Sequence, residues 1–324
     1  MTAASRGARR AASTLHPSSY SLWPHRIAVL LAGATFLLLF IGGLVTSKGA
    51  GLAVPDWPTT FGYNMFLYPW SKMVGNIFYE HSHRLVASFV GLLTIALTVV
   101  FWLREPRNGL RWLALIALAL VVIQGVLGGL RVVLLEHVLA IVHAATAQFF
   151  FAVTICLAIL TSDRWRAVAA DRPLNDGGRL RRLGAVTTGL IYLQIVFGAV
   201  LRHTGERVDA HLVFAALVAL HVVLLVVRIS RQGEGAARLT RPALFLFALL
   251  FTQLALGGLS YVGKFTTLLR LSSDWVVILT TTHLAVGALM LATAVALTLR
   301  AYRLTTLSTD RQPGREVLTE QFSV

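Results

Sequence analysis

RWLALIALALVVIQGVLGGL, residues 111–130, carries one charge at its first position and then nineteen residues among which only Gln124 is strongly polar. At about 1.5 Å of rise per residue, such a run covers roughly 30 Å, the thickness of a bilayer's hydrocarbon core. Comparable runs occur at 27–46, 80–103, 137–160, 183–201, 211–229, 241–261 and 275–299. The sequence therefore predicts an all-α integral membrane protein with eight transmembrane helices. Composition agrees: 56% of the 324 residues are hydrophobic and 13% charged, with a mean hydropathy of +0.72, which excludes an ordinary soluble domain.

The net charge of +15 would suggest nucleic-acid binding in a soluble protein, but its distribution reads as topology. With the N-terminus in the cytoplasm, the inner segments (1–26, 104–111, 162–182, 228–241 and 300–324) hold 21 Lys and Arg, and the outer loops hold seven. Only Arg84 remains inside a span. Both termini are thus expected in the cytoplasm, with no nucleic-acid partner and the lipid bilayer as the surroundings. Trp23, Trp102, Trp112, Trp165 and Trp275 fall at expected helix ends, where an amphipathic ring suits the interface. Cys156 is the only cysteine, so no intramolecular disulfide can form. Residues 1–26 are basic and acid-free, as transit peptides are, but read as a plain tail before a retained first helix.

Gln-x-x-x-Gly recurs at Gln124/Gly128, Gln194/Gly198 and Gln253/Gly257, each in the outer part of an odd-numbered span. The first span has Gly42-Gly43 without the glutamine. This pattern predicts a duplicated four-helix unit: two tandem four-helix bundles in the same orientation, related by a pseudo-twofold axis along the membrane normal. The expected parts are a tail (1–26), an N-terminal half (27–160), a linker (161–182), a C-terminal half (183–300) and a second tail (301–324). The glycines permit close helix packing, room for a flat macrocycle, or both.

Four of the ten histidines stand at matching places: His83, His143, His211 and His283, each within the outer turns of an even-numbered span. A single intramembrane histidine is usually a packing residue; four at one depth in a repeated frame point to metal ligation. Two axial imidazoles per half, apolar walls and no cysteine or carboxylate cluster suit haem iron better than zinc. His16, His25, His81, His137, His203 and His221 lack such matches. Arg131 and Arg202 end odd spans on the outer side, seven and eight residues beyond Gln124 and Gln194, and are candidate partners for haem propionates; snorkelling to the interface accounts for them equally well.

Glu80 lies three residues before His83, on the same helical face, and the matching position before His211 is Val208. Glu80 is a candidate general base or charge stabiliser, though an acid in a first turn is also what the helix dipole favours. The inequality suggests that one site does chemistry and the other carries electrons.

These residues resemble the haem A synthase family. The resemblance is carried by Gly42-Gly43-Leu44, by Gly49-Ala50-Gly51-Leu52-Ala53-Val54-Pro55-Asp56-Trp57-Pro58, by Glu80-His81-Ser82-His83-Arg84, by His143-Ala144-Ala145-Thr146-Ala147-Gln148 and by His283. It implies that haem O, the substrate, sits between His83 and His143 with Glu80 needed for oxidation of a ring methyl to formyl, and that His211 and His283 hold haem b as cofactor. It also implies the haem O-making farnesyltransferase and oxidase assembly factors as partners, and the short tails suggest a bacterial inner membrane rather than a mitochondrial one. Many relatives carry a cysteine directly before Pro-Asp-Trp-Pro; here that position is Val54. The competing expectations are a non-catalytic di-haem b electron carrier and a haem-transfer assembly factor.

Overall fold

The computed structural model describes residues 21–166 and 177–309. The N-terminal tail to residue 20, the middle of the expected linker and the C-terminal tail beyond 309 lie outside the described residues. Eight helices are each long and apolar enough to cross a membrane: α1 (Trp23–Ser47), α2 (Asn76–Arg104), α3 (Asn108–Leu134), α4 (His137–Thr161), α5 (Gly177–Thr204), α6 (Val208–Ser230), α7 (Ala237–Phe265) and α8 (Ser273–Thr309). No strand occurs among the described residues; a single bridge joins Thr60 to Tyr63.

Most helices run several residues past the apolar runs that announce them. Their end turns carry polar and basic residues that favour water or headgroups while the backbone ladder continues. Asp209 and His203, both expected in the short loop between the fifth and sixth spans, are such cases: Asp209 lies in the first turn of α6, and His203 in the last turn of α5.

Helix neighbours fall into two closed sets. In the first, α1 packs on α2, α2 on α3, α3 on α4 and α4 on α1; in the second, α5 packs on α6, α6 on α7, α7 on α8 and α8 on α5. The sets meet through α1 with α8, α4 with α5, and α4 with α8. Each set has its own buried cluster. Leu31, Leu97, Phe101 and Leu157 belong to the first, and Leu225, Leu239, Leu246 and Leu291 to the second. Lipid tails are as apolar as these side chains, so contact between sets depends on close packing and polar links. Arg202 supplies such a link. From the end of α5 its Nη2 donates to the Gly43 carbonyl (2.6 Å) and to Ser47 Oγ (2.6 Å) in α1.

The loop from Lys48 to Gly75 is a packed cap rather than an open strap: Ala50, Val54, Thr60, Tyr68 and Met73 are all buried. The Asp56 carboxylate organises its turn, accepting from the Thr59 hydroxyl (2.5 Å), Phe61 N–H (2.7 Å) and Gly62 N–H (2.8 Å). Partial burial works against the charge, yet the bonds from Gly62, Thr59 and Phe61 prevail and hold this carboxyl below its ordinary range. By contrast, the connection between α5 and α6 is only Gly205-Glu206-Arg207.

Candidate functional site: four histidines on four glycines

Each of the four matched histidines lays its ring edge on a glycine of the preceding helix. A methyl group placed on Gly42 of α1 would stand 3.0 Å from Cε1 of His83 in α2. The same construction gives 3.2 Å from Gly128 of α3 to His143 of α4, 3.2 Å from Gly198 of α5 to His211 of α6, and 2.9 Å from Gly257 of α7 to His283 of α8. Ordinary carbon contacts begin near 3.5 Å, so a methyl at any of these seats would press the ring aside, most at Gly257. The expected close packing is therefore present in a particular form: what approaches the glycine backbone is an imidazole.

In all four rings Nδ1 is buried without a hydrogen-bond partner in the protein, while the residues as a whole remain partly exposed. A buried imidazole nitrogen normally finds a partner. The four share this feature at matched positions, so the rings are set in one way in both halves.

The glutamines of the repeat help to set the rings. Residues four apart share a helix face, so the glutamine meets the same histidine that the glycine seats. Gln194 Nε2 lies 3.2 Å from His211 Nε2, and Gln253 Nε2 lies 3.4 Å from His283 Nε2. Gln124 instead donates to the Thr146 hydroxyl, one turn beyond His143. In α1 the equivalent position is Leu38.

His211 and His283 face each other with ring centres 6.4 Å apart. One metal ion bound by two opposed imidazoles, with bonds of about 2 Å and about 1 Å more from nitrogen to ring centre on each side, needs a separation of about 6 Å. This pair can therefore flank a single iron. His83 and His143 occupy the corresponding helices of the first set and lie within electrostatic reach of each other and of Arg131. No three His, Cys, Asp or Glu side chains gather among the described residues into a polydentate cluster, so further ligands to such an iron would come from a macrocycle.

The expected propionate partners hold main-chain oxygens. Arg131 Nη2 donates to the Gly51 carbonyl in the cap (3.2 Å), and Arg202 links α5 to α1 as described. Arg131 and Arg202 lie about one turn beyond Gly128 and Gly198 in their helices, with guanidinium N–H groups left over for an anion.

Glu80, only 4% exposed, lies beneath the cap. Its Oε2 accepts from Val54 N–H (2.9 Å), and its Oε1 from Arg84 Nη2 (3.0 Å). Arg84 also donates to three cap carbonyls: Val54 (2.9 Å, Nη2), Asp56 (2.7 Å, Nη1) and Thr59 (3.0 Å, Nη1). His81, 1% exposed, joins the Thr60 hydroxyl (3.2 Å) and the Tyr68 ring, which accounts for it as a cap residue. Trp57 lies so tightly on Gly129 of α3 that no side chain fits there. Sequence reasoning missed Arg84, though the i,i+4 spacing from Glu80 was a signal for the pair. It also missed the seating of Trp57, which nothing in the local pattern announces.

Comparison with known proteins adds a family to this geometry. Among curated relatives, a protein named heme A synthase from Symbiobacterium thermophilum is 29% identical over 281 residues, covering 75% of this chain and 88% of its own. One of the same name from Shouchella clausii is 36% identical over 110 residues, covering 33% of this chain and 35% of its own, and one from Geobacillus kaustophilus is 27% identical over 183 residues, covering 54% and 55%. The chain thus spans about a third to half the length of the latter two. The family profile COX15-CtaA, described as cytochrome oxidase assembly protein, matches residues 25–210, more than half of the chain. The chain belongs to this family of cytochrome oxidase assembly proteins.

Proposed function

We propose that the chain is a haem A synthase, a membrane oxidoreductase that converts a ring methyl of haem O to formyl. The observation that carries this reading is the pairing of like seats with unlike surroundings. All four histidines rest on glycines in one way, yet only the His83–His143 pair lies under a cap tied to Glu80 and Arg84. Relatives named heme A synthase support it.

In this reading His83 and His143 hold the substrate haem O, and His211 and His283 hold haem b, which supplies electron-carrying chemistry when bound. The 6.4 Å ring separation of His211 and His283 fits bis-imidazole ligation. Oxidation of a methyl removes electrons and protons and takes its oxygen from outside the ring. The protein's part is to hold the substrate's reacting edge under the cap, keep bulk water away from it, and offer guanidinium N–H groups to the propionates at Arg131 and Arg202. Glu80 is the acidic residue on which the reaction depends.

The two closed helix sets are tandem bundles related by a pseudo-twofold axis. Under that rotation, the α1–α8 contact maps onto α5–α4, and α4–α8 onto itself. The excess of Lys and Arg on one side supports cytoplasmic termini, and the bacterial relatives support the bacterial inner membrane. The farnesyltransferase that makes haem O and the factors that assemble the oxidase are the partners such a product requires.

The test is co-expression with a haem O source, followed by pyridine haemochrome spectra and mass spectrometry of the extracted haem. Haem A should appear. Two haem b molecules with no conversion would show an electron carrier instead.

A further inference from the structure

We propose that Arg84 and Glu80 act together as a positioning clamp that fixes the 54–60 segment of the cap above the first histidine pair, and that the reaction depends on Glu80 through this clamp. This deepens the assignment of His83 and His143 as the substrate site and rests on it.

The clamp leaves little of either side chain free. Glu80 and Arg84 side chains are 5% and 10% exposed. Both carboxylate oxygens accept a bond, one from the cap backbone and one from Arg84. Arg84 presents two nitrogens to three cap carbonyls and to Glu80, which uses the planar fork of a guanidinium in a way that a lysine's single ammonium cannot copy. The pair therefore holds Val54 from both its N–H and its carbonyl. It also closes a mechanical circuit. Glu80 and Arg84 flank His83 on α2; the segment they hold puts Trp57 on Gly129 of α3; and Gly128, the next residue, seats His143. Moving the cap disturbs both rings of the first pair at once. At the equivalent places in α6 stand Val208 and Leu212, beside a three-residue turn with nothing to clamp.

Glu80 and Arg84 are accordingly positioning residues. Without Arg84, three cap carbonyls and one oxygen of a buried carboxylate lose their donor, so the segment should open. Arg84→Lys should recover part of the hold, and Asp56→Ala, which loosens the same turn without touching α2, should act in the same direction.

The experiment is hydrogen–deuterium exchange on the full-length, detergent-purified, haem-free protein, with haem A formation measured in parallel in cells. The expected result is faster exchange of peptides covering 53–62, about tenfold or more for Arg84→Gln and Glu80→Ala, less for Arg84→Lys, with peptides from α6 unchanged. Haem A formation should fall in the same order, Asp56→Ala included. Unchanged exchange in Glu80→Ala with haem A formation lost would overturn the clamp and make Glu80 a direct participant. Faster exchange with haem A formation intact would also overturn it. If the unaltered protein makes no haem A, the functional reading fails, while the exchange arm still decides whether the clamp exists.

Discussion

The first and last four helices build the same histidine seat and then diverge around it. Both place two imidazoles on two glycines near the outer ends of the helices. Around His211 and His283 the remaining contacts come from within the spans, through Gln194 and Gln253. Around His83 and His143 the pattern changes: α1 has Leu38 where a glutamine would stand, Gln124 turns to Thr146, and the cap reaches residues beside the rings, with Trp57 on Gly129, the Gly51 carbonyl on Arg131 and Val54 on the Glu80–Arg84 pair. The repeated part of the structure thus fits the role proposed for both sites, holding a haem iron. The part that differs fits a site where substrate must enter, react and leave, because a cap resting on hydrogen bonds can open and helix-embedded glutamines need not.

The largest effect should follow removal of a ligand. His211→Ala or His283→Ala should reduce retained haem b about tenfold or more, seen as loss of the haem b absorption bands in purified protein. Equal loss from both pairs on either substitution would break the comparison.

Next are the seats. Gly257→Ala puts a methyl 2.9 Å from His283 Cε1, and Gly198→Ala one at 3.2 Å from His211. Overpacking of this kind costs about 1–3 kcal/mol, so both should lower haem b retention, Gly257→Ala more. Gly258 has nothing within 4 Å of such a methyl, and Gly258→Ala should leave retention unchanged. Gly42→Ala should disturb substrate binding at His83 while sparing haem b.

The smallest effect concerns pH. Asp56, despite partial burial, has its carboxyl held low by bonds from Gly62, Thr59 and Phe61. A carboxyl lowered on folding stabilises the cap above its unfolded value of about 4, and that contribution is lost as pH falls through the folded value. Cap exchange, corrected for intrinsic rates, should therefore be flat from neutral pH to about 5 and rise below about 4; in Asp56→Asn the rise should be absent.

Much of this architecture can be read before any coordinates. The spans follow from hydropathy, and the four histidines stand out because duplication places them at one depth. The resemblance to a family rests mostly on the first half, and the family match likewise ends at residue 210, one before His211; the second pair is legible through the internal repeat. What escapes sequence reasoning is contact across distance. Glycines in a membrane helix permit several kinds of close approach, and the pattern alone does not say that an imidazole, or in Gly129 an indole, takes the space. Arg84 reads as one stray charge within a span until folding brings Val54, Asp56 and Thr59 onto it.

The inequality of the two pairs is tested most directly by the haem content of His83→Ala and His211→Ala, each purified after co-expression with a haem O source and analysed by mass spectrometry of extracted haem. The account predicts that His83→Ala keeps haem b and carries neither haem O nor haem A, whereas His211→Ala loses haem b. Haem O or haem A retained in His83→Ala at the level of the unaltered protein, or the same haem lost from both variants, would contradict it.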